Sequence, residues 1–83
     1  VLKCPATGIV LEVATTKPGI QLYSAGFLTP RKGKHGATYD IHHGVCLETQ
    51  FFPDSPNNPH FPSAVLHAKD EYNHHTSYRF FTE

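Results

Sequence analysis

Ile9-Val10-Leu11-Glu12-Val13-Ala14-Thr15-Thr16-Lys17-Pro18-Gly19-Ile20-Gln21-Leu22-Tyr23-Ser24-Ala25 decides the fold class. Its first seven residues are rich in β-branched side chains and alternate, with Leu11, Val13 and Thr15 on one face. Lys17-Pro18-Gly19 punctuates the run as Pro and Gly do in tight turns. Ile20–Ala25 resumes the alternation, with Ile20 and Leu22 on one side and Gln21 and Tyr23 on the other. The spacing predicts two strands joined as a hairpin. Further strands are expected at Gly44–Gln50, Ala64–Ala68 and Tyr72–Phe81. In the first of these, Val45, Leu47 and Thr49 point one way and Cys46, Glu48 and Gln50 the other. In the last, Tyr72, His74, Thr76, Tyr78 and Phe80 share a face. Lys69-Asp70-Glu71 is the polar turn between the two.

No window spaces apolar residues three and four apart, and seven prolines argue against helices. The expectation is an all-β chain forming part of an antiparallel sheet or sandwich. Its outer strands would be unpaired edges unless another segment covers them. At 83 residues, 39% of them hydrophobic, the core is marginal, because small domains bury a smaller fraction of their surface. The chain opens on Val1, which is read as an internal start.

Seven Lys and Arg balance seven Asp and Glu, leaving no broad electrostatic footprint for nucleic acid or an acidic membrane. No apolar run reaches membrane-spanning length and no signal-peptide core is seen. Cys4 and Cys46 make no disulfide framework, and the chain lacks an Asn-x-Ser/Thr sequon; both features point to a reduced, cytoplasmic compartment.

Prolines 53, 56, 59 and 62 recur at the three-residue period of a polyproline II helix. They read either as a ligand for a binding domain or, preferred, as a rigid connection packed on its own sheet. The Arg31–Gly36 stretch lacks the spaced glycine and Ser/Thr of a phosphate-binding loop and reads as a solvated loop. Seven histidines (35, 42, 43, 60, 67, 74 and 75) invite a metal. Adjacent histidines on a strand diverge, however, and no metal-ligand spacing is present, so no metal site is expected. Cys46 has no local base to make it a nucleophile and reads as a small, half-buried hydrophobe.

Glu48 is the most informative acid. It sits mid-strand, opposite the aliphatic face, on a solvated surface or along a cleft. Gln21 has the same property on its strand. If the two strands share a sheet, a carboxylate and an amide project from one side, a pairing that suits the hydroxyls of a polyol.

Three blocks resemble the last part of the aldose 1-epimerase (galactose mutarotase) family. They are Thr16-Lys17-Pro18-Gly19-Ile20-Gln21-Leu22-Tyr23; Gly44-Val45-Cys46-Leu47-Glu48-Thr49-Gln50 with Pro53-Asp54-Ser55-Pro56-Asn57; and Phe61-Pro62-Ser63 with Glu71-Tyr72 and the terminal aromatic strand. Thr7-Gly8 and Leu11-Glu12-Val13 fit as well, so nearly the whole chain is covered in one order. The resemblance implies that residues 1–83 are the C-terminal segment of a large β-supersandwich, incomplete alone. It implies an isomerase that interconverts α- and β-anomers of hexoses such as galactose and glucose without a cofactor. It makes Glu48 the general base and Gln21 a substrate contact. In the family mechanism the glutamate takes the anomeric hydroxyl's proton while a histidine protonates the ring oxygen. The ring opens, the aldehyde end rotates, and the ring recloses. That histidine and most of the sugar shell lie upstream in the family, so this chain alone is expected to be inactive and to need its N-terminal part as partner. A base of this kind works best when partial burial raises its pKa. The chain departs from the family at Ala25-Gly26, where Gly-Asn or Ala-Asn is common, and at Phe52, where Trp is frequent. The other readings are a silent sugar-binding or sugar-phosphate-acting relative and a small β-module that binds a protein partner.

Overall fold

In the computed structural model, which describes residues 1–83, seven strands account for the regular structure. They are β1 (Leu2–Cys4), β2 (Ile9–Thr15), β3 (Gly19–Tyr23), β4 (Arg31–Lys32), β5 (Thr38–Tyr39), β6 (Cys46–Gln50) and β7 (Thr76–Thr82). The only helical pieces are 3-10 turns at Lys34–Gly36 and Ser55–Asn57. All pairings are antiparallel, in three small sheets ordered β1-β2-β7, β3-β6 and β4-β5. The chain is all-β, as its alternation requires.

The β-branched run Ile9–Thr15 forms the middle of the largest sheet. Its register sets Val10 between Lys3 and Phe81, and Leu11 between Leu2 and Phe80. Gly8 makes the β1–β2 turn with φ +72, and a Cβ there would also lie 2.8 Å from the Glu83 carbonyl oxygen. Only glycine meets both demands cheaply.

The expected hairpin between Ile9–Thr15 and Ile20–Ala25 does not form. β2 pairs with β7, over sixty residues away, and β3 pairs with β6. The turn that looked like a hairpin is a crossover between sheets. Thr15 Oγ1 accepts from Lys17 N, while Thr16 N donates to the His75 carbonyl and His75 N donates to Thr16 Oγ1. The chain is thereby pinned to the entry of β7 rather than turned back on β2.

Strand limits shift for local reasons. β3 stops at Tyr23 because Ala25 takes the left-handed conformation, φ +56, a cost of about 1–2 kcal/mol for a residue with a Cβ. Ala25 is buried, and its carbonyl accepts from both Leu28 N and His42 N. Ala64–Ala68 is not a strand: it has no ladder partner, and Val65 N donates to Ser63 Oγ instead. The last strand begins at Thr76 rather than Tyr72. The Arg31–Gly36 stretch is more ordered than a solvated loop, because Arg31–Lys32 pairs with Thr38–Tyr39. The Pro-rich segment is not polyproline II. Asp54 is left-handed at φ +60 and Ser55–Asn57 is a 3-10 turn. It does pack on its own chain, with the Phe52 and Phe61 rings 5.2 Å apart.

Little is buried. Val10, Ala25 and Ser55 are the only buried residues. The radius of gyration is 16.9 Å, against about 12 Å for a compact domain of this length. The accessible surface is 6773 Å², against roughly 5,000 Å² for a compact monomer of this mass.

Candidate active-site face

β6 carries Glu48, and its antiparallel pairing with β3 sets Gln21 directly opposite Glu48. Directly opposed residues of an antiparallel pair project from the same face, with Cβ atoms about 4.5–5.5 Å apart. The carboxylate and the amide therefore stand side by side. Neighbouring pairs on this face are Tyr23 with Cys46 and Gly19 with Gln50. Both Gln21 and Glu48 are exposed. The partial burial expected at the carboxylate is not supplied by these residues, since Glu48 stands exposed.

The opposite face explains why Glu48 points outward. Thr49, next in the chain, turns the other way and reaches the large sheet, with its Oγ1 2.9 Å from Thr76 Oγ1. Leu47, on the other flank, offers its carbonyl to Tyr78 Oη at 2.8 Å. The Thr49 side chain thus marks the inner side of β6, and the period of two leaves Glu48 on the outer side.

Phe52 borders the polar face at one end, a position that the alternation of β3 and β6 does not predict. A Cβ on Gly19 would lie 2.8 Å from Phe52 Cε1, so the ring occupies the space a side chain at residue 19 would fill. Gly19 is opposite Gln50 and two residues from Gln21, which places the ring on the side of β3 that bears Gln21. The signal was the glycine itself, which permits close approach within a strand.

Other candidates fall elsewhere. Cys46 shares the Glu48 face and is exposed rather than half-buried. His42 Nδ1 donates to the Ser24 carbonyl, 2.8 Å away, and His74 Nδ1 lies 3.1 Å from Thr16 Oγ1. These two histidines hold loops in place. No three His, Cys, Asp or Glu side chains converge as an ion would require.

The largest cavity, about 560 Å³, does not contain Glu48 or Gln21. It opens where the sheets part, between Leu2, Ile9, Leu11 and Phe80 on one wall and Val45 and His42 on the other. It is mostly apolar. Cys4 lies at its rim, its thiol pKa lowered by hydrogen bonding with Thr7. The largest cavity and the Gln21–Glu48 pair thus lie in different places.

Comparison with known proteins identifies the family. The family model described as aldose 1-epimerase matches residues 1–79. Galactose mutarotase of Mus musculus is 54% identical over 76 residues, which cover 90% of this chain and 22% of that protein. Galactose mutarotase of Homo sapiens is 51% identical over 76 residues, with the same coverage. Aldose 1-epimerase of Escherichia coli (strain K12) is 42% identical over 77 residues, covering 88% of this chain and 22% of that protein. The chain thus spans about a fifth of the length of the curated relatives it matches.

Proposed function

We propose that this chain, which belongs to the aldose 1-epimerase family, is the C-terminal segment of an isomerase that interconverts the α- and β-anomers of a hexose, galactose or glucose, with Glu48 as the general base. The observation that supports this most strongly is the pairing of Gln21 with Glu48 on one exposed sheet face. A sugar laid on that face meets an anionic acceptor and, beside it, an amide that both donates and accepts.

Glu48 takes the proton of the anomeric hydroxyl. The electron pair left on that oxygen forms the aldehyde carbonyl as the bond from C1 to the ring oxygen breaks. The ring oxygen receives a proton from an acid outside these residues. Rotation about the C1–C2 bond presents the other carbonyl face, and the reverse steps close the ring. Gln21 holds a sugar hydroxyl without competing for the transferred proton, because an amide does not titrate in this range. Proton balance is internal, so the chemistry consumes nothing. The covering surface that desolvates Glu48 comes from the remainder of the enzyme and from the sugar itself.

Cys4 and Cys46 are both free, which supports a cytoplasmic setting. No helix is long and apolar enough to cross a membrane.

The test is Glu48→Gln in a protein of the relatives' full length that carries this chain. The substitution keeps shape and removes the base. General-base catalysis contributes roughly 10²–10⁴-fold, so kcat for α-galactose, followed by polarimetry, is expected to fall by that factor with little change in sugar affinity. A near-parent rate would reject Glu48 as the base.

A further inference from the structure

We propose that Thr76 and Tyr78 of β7 are positioning residues for Glu48, clamping the strand that carries it from the opposite sheet on both sides of the carboxylate. This rests on Glu48 being the base. Thr49 Oγ1 lies 2.9 Å from Thr76 Oγ1, which lies 3.0 Å from Thr15 Oγ1. Three hydroxyls thus run in a row from β2 through β7 to β6, each of the two contacts part-buried. A hydroxyl has one proton and two lone pairs, so the Thr76 hydroxyl can serve both neighbours at once. Tyr78 Oη donates to the Leu47 carbonyl at 2.8 Å.

Leu47 and Thr49 are the two chain neighbours of Glu48. The clamp therefore acts through backbone position and never touches the carboxylate. Within these residues β6 has one ladder partner, β3. A two-stranded ribbon resists tilting and sliding poorly. A slip of one residue would turn Glu48 to the inner face and bring Thr49 outward. The Thr49–Thr76 bond forms in one register only, and the Tyr78–Leu47 bond sets how far β6 stands from the large sheet. Both residues of the clamp lie on one face of β7, two positions apart, opposite Thr15 and Val13. The hold is thus transmitted to the central strand.

Positional error at a reacting group is costly; about 1 Å of displacement reaches 10²-fold in rate. The experiment uses the full-length enzyme carrying this chain, with Thr76→Val, Thr76→Ser, Tyr78→Phe, the Thr76→Val/Tyr78→Phe double variant, and Glu48→Gln as reference. Polarimetry of α-galactose gives kcat and KM, and circular dichroism gives the folded fraction and Tm. The double variant is expected to lose about 10–100-fold in kcat, with KM held within about threefold, since loss of one neutral hydrogen bond is worth roughly 2–10-fold. Thr76→Ser keeps the hydroxyl and is expected within about twofold of the parent.

A folded double variant with kcat within about twofold of the parent overturns the clamp. So does one that lowers Tm while leaving kcat per folded enzyme unchanged. In both cases a strong Glu48→Gln defect leaves the base assignment standing. An active Glu48→Gln enzyme overturns the base assignment and the clamp with it. If the double variant does not fold, Tyr78→Phe alone carries the same comparison, because it removes one oxygen and no carbon.

Discussion

Two exposed regions of this chain differ in what their exposure means. The outer face of β3 and β6 shows water Gln21 and Glu48, groups that hydration suits. The cleft between β1, β2, β7 and Val45 shows it Leu2, Ile9, Val45 and Phe80, the last 69% exposed. Apolar surface in water costs about 25 cal/mol per Å² relative to burial, so the cleft is the region that gains from being covered. The polar face loses nothing by standing in water. The proposed function rests on its matched polar groups on neighbouring strands and not on the larger cavity.

The sharpest way to break this comparison is to test the chain by itself. Glu48 stands on a face with the Gln21 amide opposite it and no assigned acid, and orientation is worth up to about 7–11 kcal/mol in well-arranged sites. The 83-residue chain is expected to show no mutarotation above the buffer-catalysed rate at any soluble concentration. Turnover by the purified chain, abolished by Glu48→Gln, would mean that the acid is among its own histidines.

A smaller effect sharpens the other half of the comparison. If the cleft is covered in the full-length protein, Phe80→Ala there is expected to destabilise folding by about 3–5 kcal/mol, the range for a large buried aromatic. In the isolated chain, where the ring is largely in water, the same change is expected to cost less than about 0.5 kcal/mol. Urea unfolding of the full-length pair gives the first value. A cost near zero there would show that the cleft stays open and is a surface in its own right.

The difference between the regions also explains what the sequence made legible. Alternation around Leu47-Glu48-Thr49 and Ile20-Gln21-Leu22 assigns faces, and face assignment is local. It placed Glu48 and Gln21 on the outer side without any knowledge of the partner strand. Pairing is not local. Nothing near Ile9–Thr15 announces that its partner is Thr76–Thr82, and Pro18-Gly19 mimics a hairpin turn while serving as a crossover. Ala64–Ala68 has strand composition, but a strand is completed by a neighbour's hydrogen bonds and none is present. β1, β4 and β5 are two or three residues long, too short for periodicity to register. The place of Phe52 at the edge of the polar face is likewise set by pairing, because its ring lies over Gly19 across the ribbon.

Under the proposed function, Gln21 and Glu48 act on one sugar from one face. A structure of the full-length protein with galactose bound tests it most directly. The expected result is a Glu48 carboxylate oxygen within about 2.6–3.2 Å of the anomeric hydroxyl, with the Gln21 amide on another hydroxyl of the same ring. A sugar seated between Leu11 and Phe80, or bound with Glu48 out of reach of the anomeric oxygen, would contradict it.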